Sequence, residues 1–168
     1  MIDTHDISPS LTQLFSELVD GATSHGGAFI LNSGDAGLLG SLDKLTAAQA
    51  SHSLDGGATI AAHAEHLYYG LSLMIRWASE GGDPFSDATW EAAWKTKAVD
   101  EREWAAIRER LRDVAHRWRE ALAVPRNAAR AELNGMIGSI AHLAYHMGAI
   151  RQIAAGARGP REGTFGNA

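Results

Sequence analysis

The sequence contains no cysteine, which excludes disulfide bonds and thiolate metal ligands. It has only four prolines, and no apolar run reaches the length of about 20 residues that a transmembrane helix needs. The first eight residues are polar and acidic, without the basic and apolar regions of a secretory signal peptide. We therefore expect an untargeted cytoplasmic protein with no membrane partner.

Positive charge is also scarce, since 15 Lys and Arg stand against 20 Asp and Glu and the net charge is −5. The one concentration of basic residues, over 108–119, alternates with acidic residues. That alternation is typical of a solvated helix face with i,i+4 ion pairs rather than a phosphate-binding patch. We therefore expect a small-molecule substrate and no nucleic acid; a homodimer stays open as the assembly.

Apolar residues recur every three or four positions in four long stretches, and no stretch alternates as a strand would. The first predicted helix opens at Ser8, with Pro9 in its first turn, and the second covers residues 59–79. A capping box of Asp100 and Glu103 opens the third, which Pro125 ends, and the fourth covers 128–155. The sequence predicts one all-α domain over 1–168, an antiparallel four-helix bundle.

The remaining segments are connections. Residues 21–27 form a predicted loose turn, and 28–57 form a long irregular connection between the first two helices, with one short helix at 42–50. Such a connection is more often functional than idle. A short amphipathic segment at 87–97 carries Trp90 and Trp94. Residues 156–168 are expected to be a mobile tail.

Two of the eight histidines, His142 and His146, are four residues apart on the fourth predicted helix. At this spacing both rings project from one face and can bind one cation. Chance alone gives about 0.4 such pairs in a chain of this composition, so the pair by itself is weak. The histidines outside the predicted interior faces are His5, His25 and His52 in the tail or loops, and His116 beside arginines on a solvent-facing side.

Small residues accompany the pair, and small residues also flank His63 and His66 on the second predicted helix. These residues are Gly135, Ser139 and Ala149 on the fourth helix and Thr59, Ala62 and Gly70 on the second. A structural helix would fill such a face with large apolar side chains to avoid a cavity. The pattern predicts a hollow beside imidazoles, where a third histidine from the second helix would complete an open His₃ metal site.

Two segments carry a resemblance to a known family. The stretch from Thr59-Ile60 to His66-Leu67 is similar to the second-helix motif of the DinB/YfiT-like metalloenzymes, and residues 142–150 resemble their H-x-x-x-H-x-G-x-I motif. The resemblance covers roughly residues 8–155. It implies His66, His142 and His146 as metal ligands, with His63 as the alternative to His66. The family usually has Gln after the motif glycine; this chain has Ala149, with Gln152 three residues later.

The resemblance implies a thiol-dependent transferase or isomerase that uses a low-molecular-weight thiol such as mycothiol or bacillithiol. Zn²⁺ and Ni²⁺ are the expected metals, because neutral imidazole suits both. Three alternatives stay open: a metal-dependent hydrolase, a non-catalytic metal-binding or ligand-sensing bundle, and a bundle without metal. The last would leave buried imidazoles without obvious partners, which is costly.

Candidates for contact with the substrate or cofactor are Tyr69, Tyr145 and Arg151. The plainer interpretation of the two tyrosines is aromatic packing at a helix–helix seam. The plainer interpretation of Arg151 is a surface or capping cation. Asn32 and Asp35 of the irregular connection are candidates to cover the site, or ordinary turn residues. Glu65 adjoins His66 but points about 100° away around the helix, which favours an open coordination position.

Overall fold

The computed structural model describes residues 1–22 and 28–160, and the chain is mostly helical. The helices are α1 (Ser8–Asp20), α2 (Gly37–Asp43), α3 (Ala47–Ala50), α4 (Ile60–Glu80), α5 (Trp90–Ala93), α6 (Glu101–Ala123), α7 (Arg130–Ile153) and a 3₁₀ helix (Ala155–Ala157). The all-α prediction agrees with this. His25, the rest of the predicted turn over 23–27, and residues 161–168 of the predicted tail lie outside the described residues.

Side-chain caps set the starts of the two helices that follow the long connections. Thr59 Oγ1 accepts a hydrogen bond from the Ala62 amide at 3.1 Å, which satisfies a free donor at the start of α4. The predicted capping box at α6 is confirmed: Asp100 accepts from the Glu103 amide at 2.7 Å, and Glu103 accepts from the Asp100 amide at 2.9 Å. Helix α1 begins at Ser8, as predicted; its N-cap is Ile7, which makes no side-chain cap, and the Ser8 hydroxyl donates to Thr4 Oγ1.

Two local predictions need correction. Residues 42–50 hold the end of α2 and all of α3, because Thr46 forms a capping box that opens a new helix. The short amphipathic segment at 87–97 contains the single turn α5. Two short strands were also missed: β1 (Ile2–Asp3) pairs antiparallel with β2 (Asn127–Ala128), and this pairing delays the start of α7 to Arg130. Two-residue strands are too short for a recognisable alternation of side chains.

The four long helices share one core, in which α6 and α7 each contact both α1 and α4. The predicted inner side of α6 is buried throughout: Trp104, Ile107, Leu111, Val114, Trp118 and Leu122. Helical spacing in the sequence predicts both Met136 and Ile137 on the apolar face of the fourth helix. That prediction is wrong for Ile137, which is 51% exposed, because Met136 takes the buried position one step around the helix. In the described part of the chain, no helix is both long and apolar enough to cross a membrane.

The basic face of α6 pairs mainly with other elements. The predicted i,i+4 pairing occurs between Asp113 and Arg117 at 3.6 Å. Elsewhere the arginines reach across: Arg108 and Arg112 both bind Asp43, at 3.0 and 2.7 Å. These exposed ion pairs connect α6 to neighbouring segments rather than stabilising it from within.

The described residues after α7 include the short 3₁₀ helix. Ala157 is fully buried within it and joins the core. Residues 156–157, where the predicted tail begins, therefore belong to this helix.

Helices α4 and α7 approach closely where Gly135 meets Trp77. A Cβ atom at Gly135 would lie 2.5 Å from Trp77 Cζ3 and 3.1 Å from Met74 Cε. Only a residue without a side chain fits there, because a rigid indole ring cannot withdraw from such a contact. Gly135 therefore sets how near the two histidine-bearing helices come to one another.

We predict that Gly135→Ala yields a protein less stable than Gly148→Ala by about 1–3 kcal/mol, the usual range for overpacking. Gly148 lies on the same helix, and a Cβ atom there meets nothing within 4 Å. That control isolates the contact from the gain in helix propensity, about 1 kcal/mol, that both variants share. Urea unfolding measures the difference; equal stabilities would contradict the packing role of Gly135.

Candidate metal centre

Helices α4 and α7 bring three imidazole rings together. His142 Nε2 lies 3.0 Å from His66 Nε2 and 2.9 Å from His146 Nε2. The three residues form a group whose ligand atoms all lie within 4.8 Å of one another. His66 and His146 are buried and His142 is partly buried. The structure thus gathers the three histidines that the sequence singled out.

The two nitrogen–nitrogen distances at His142 suit ligands of one divalent cation. Two nitrogens that lie about 2.1 Å from one ion, about 90° apart, are about 3.0 Å from each other. Each imidazole nitrogen carries either a hydrogen or one lone pair, so His142 Nε2 can form an ordinary hydrogen bond with only one of its two neighbours. A cation among the three would receive all three lone pairs. The residues present therefore fit a metal ion.

Burial keeps the rings neutral, which is the form that binds metal. Burial, followed by the nearby His142 and His63 rings, lowers the pKa of His66 to about 4. Burial, followed by the nearby His142, His66 and His63 rings, lowers the pKa of His146 to about 3. Burial also lowers the pKa of His142. Since lowered pKa values favour the unprotonated form at pH 7, lone pairs are available there.

His63 occupies a different place from the three ligand candidates. Its Nδ1 lies 2.9 Å from Nδ1 of His146, the ring nitrogen that points away from the convergence point. A hydrogen shared between these two atoms fixes the ring orientation of His146 and leaves its Nε2 free for a metal. His63 thus serves as an orienting partner, a role that sequence spacing alone could not separate from ligation.

Two tryptophans cover the cluster, and neither has a role predicted from the sequence. The Trp94 ring stacks on His66 with centroids 4.2 Å apart and planes 25° apart. Trp90 lies 5.4 Å from the same imidazole. Thr59 holds this segment in place, because its hydroxyl donates to the Thr96 carbonyl at 2.8 Å. The available signal was the i,i+4 spacing of the two tryptophans, which matches that of His142 and His146.

The predicted hollow is real on one side of the cluster. Gly70 and Ser139 line a cavity of about 250 Å³ beside His142, which we call the α4–α7 cavity. Gly135 lines it too, although its small size is explained by Trp77. The other predicted small residues do not line this cavity: Thr59 caps α4, Ala62 is buried, and Ala149 lies one turn beyond the histidines.

The other candidate residues lie elsewhere or have other partners. The Tyr69 hydroxyl accepts a hydrogen bond from the Thr89 amide at 2.8 Å. Tyr145 is 71% exposed, with its ring edge against His146. Arg151 binds Asp35 at 2.7 Å in a separate cleft that Asn32 also lines. Residues of the irregular connection therefore line that cleft, whereas Trp90 and Trp94 cover the histidines.

No carboxylate joins the cluster among the residues that the structure describes. Glu65 binds Arg110 of α6 at 2.5 Å, consistent with its predicted direction away from His66. His116 lies apart and binds Asp20 at 2.9 Å, so it is half-buried rather than simply solvent-facing. Gln152, the glutamine nearest in sequence to the family's glutamine position, is exposed and lines the cleft that holds Arg151.

Comparison with known proteins gives one match. The family model described as the DinB superfamily matches residues 35–150, a span that includes all three converging histidines and leaves out α1. No curated protein and no solved structure is significantly similar to the chain.

We predict that the protein, purified without a chelator or a metal-affinity tag, holds about one divalent metal ion per chain. His142→Ala should abolish retention, because His142 Nε2 contacts both other candidate ligands. His116→Ala, a histidine bound to Asp20 away from the cluster, is the matched control and should retain the metal. Elemental analysis decides; full occupancy in His142→Ala would show that other residues bind the ion.

We also predict that His63→Ala weakens metal binding by about 10- to 100-fold, the usual cost of losing the partner that orients a ligand. His63→Asn should recover most of the affinity, because an amide can still form a hydrogen bond to His146. Competition with a chelator measures both constants. Wild-type affinity in His63→Ala, or equal losses in the two variants, would contradict the orienting role.

Proposed function

Because the chain belongs to the DinB superfamily, we propose that it is a metal-dependent enzyme in which His66, His142 and His146 bind Zn²⁺ or Ni²⁺. We further propose that it joins a low-molecular-weight thiol, through its sulfur, to a small-molecule substrate. In this proposal the four long helices form an antiparallel bundle that carries the site between α4 and α7. The observation that supports it is the convergence of three imidazole Nε2 atoms.

A divalent cation bound by these three histidines would keep its full positive charge. Three neutral imidazoles contribute no negative charge, and the described part of the chain places no carboxylate in the group. A buried divalent cation without a counter-ion is costly, so an anion should complete its coordination. A thiolate or a hydroxide meets this requirement, and both are nucleophiles.

The sulfur has to come from outside the protein, because the chain contains no cysteine. A divalent ion at the site would lower the pKa of a bound thiol or water and so supply a nucleophile at neutral pH. His63 holds His146 in orientation, and Trp94 covers the His66 ring against solvent. The protein thus positions the ligands and limits access, which leaves one open side for two reactants.

The proposed reaction is a substitution or addition at carbon. The thiol releases its proton to solvent, and its sulfur forms a bond to an electrophilic carbon of the substrate. In a substitution, the bond from that carbon to the leaving group breaks, and the group departs with the electron pair. In an addition, the electron pair moves into the substrate and a proton from solvent completes the product.

We predict that the Co²⁺-loaded protein shows a sulfur-to-cobalt charge-transfer absorption band when a small thiol is added. Cysteine, bacillithiol and mycothiol would be titrated separately, with the same thiols and His142→Ala as the control. A band that saturates with thiol supports the proposed transferase. Hydrolysis of ester or amide substrates without such a band would replace it with a hydrolase; neither property, with metal retained, would indicate a non-catalytic metal-binding or sensing protein.

A further inference from the structure

The α4–α7 cavity opens directly beside the candidate metal centre. His142 lies in both, since its Nε2 meets the other ligands and its Cε1 lies 3.9 Å from where a Cβ of Gly70 would be. Trp94, which stacks on His66, does not line this cavity. A molecule that reaches the histidines from the cavity would therefore not have to displace Trp94.

The cavity walls offer almost no hydrogen-bonding groups. Ser139 is engaged: its Oγ accepts from Trp118 Nε1 at 2.9 Å and donates to the Met136 carbonyl at 2.7 Å. Apart from His142, the other lining residues in the described chain are apolar or glycine, and none is charged. A polar group placed here would lose its hydrogen bonds to water without replacement, whereas an apolar group would gain from leaving water.

The size and wall chemistry both suit a single ring. A dry apolar cavity of about 150 Å³ in another protein accommodates benzene, and this one has about 250 Å³. Phe85 and Trp90 form an aromatic wall with ring planes 18° apart and centroids separated by 6.2 Å. Aromatic rings favour offset-stacked or edge-to-face contacts with another ring. Leu67 and Leu71 complete the opposite wall.

We propose that the α4–α7 cavity binds the neutral aromatic part of the substrate and so directs its electrophilic carbon toward the three histidines. The role of this cavity in catalysis rests on the proposed function, whereas the binding of an aromatic group depends only on the cavity. It assigns substrate selection to the Phe85–Trp90 wall, which belongs to the connection between α4 and α6.

Toluene is a suitable probe because it is neutral, about the right size and unable to bind a metal. Protein labelled with ¹³C at its four methionine methyl groups would be titrated with toluene, as purified and after addition of Zn²⁺. Met74 lines the cavity, so its methyl resonance should shift and saturate. Met136 and Met147, which are buried outside the cavity, should shift little. Absence of a saturable Met74 shift, or equal shifts of all three, would overturn the proposal.

Two variants with matched controls test whether toluene binds in the α4–α7 cavity. Gly138→Leu places a side chain at the cavity, where a Cβ atom meets nothing within 4 Å, and should weaken toluene binding at least tenfold. Gly148→Leu, on the same helix in another cleft, should leave binding unchanged. Phe85→Ala should also weaken binding, while Phe29→Ala, an exposed residue elsewhere, should not. Wild-type affinity in both Gly138→Leu and Phe85→Ala would overturn the assignment.

The two proposals fail separately. Toluene binding without a thiol-dependent cobalt band would retain the cavity and remove the transferase. A thiol-dependent cobalt band without toluene binding would retain the thiol chemistry and show that the substrate is recognised outside the α4–α7 cavity.

Discussion

The close approach of α4 and α7 is the constraint on which the site depends. Trp77 occupies the space that any side chain at Gly135 would need. Beyond this contact, the same two helices present His66 on one side and His142 with His146 on the other. Imidazole side chains are short, so their Nε2 atoms can converge only if the helices stay near each other. Gly135 is therefore one residue that permits the approach the three histidines need.

The arrangement around the histidines is layered. His63 binds the outer nitrogen of His146, and Trp94 lies flat on His66. The Thr59 hydroxyl links the start of α4 to the segment that carries Trp94. Two of the three inner rings, His146 and His66, are therefore held by groups outside the ligand set, as supporting shells of metal sites generally require. The rigidity of this arrangement comes from helices and aromatic packing rather than from the irregular connection.

Periodicity was sufficient to predict the long helices and to place His142 and His146 on one face, because helical spacing fixes which residues share a face. The choice of His66 over His63 came from the family resemblance. It failed where partners are distant in sequence: Asp35 pairs with Arg151 and covers a separate cleft, and Thr4 pairs with Arg126 beside the missed strands. Small residues were also ambiguous. A side chain at Gly135 would collide with the indole of Trp77, whereas one at Gly138 would enter open space. Both residues are glycine, so the sequence alone does not distinguish the two situations. Only the neighbours distinguish close packing from a cavity.

The sequence separation of the three histidines has a consequence for folding. His66 and His142 are 76 positions apart, so an ion held by both would act as a cross-link in a chain that has no disulfide of its own. An unfolded chain cannot hold three such distant groups together, and binding would therefore favour the native state, by about 2.7 kcal/mol at a free-ion concentration 100 times the dissociation constant. The lifetime of the folded protein would then depend on the supply of free metal in its surroundings.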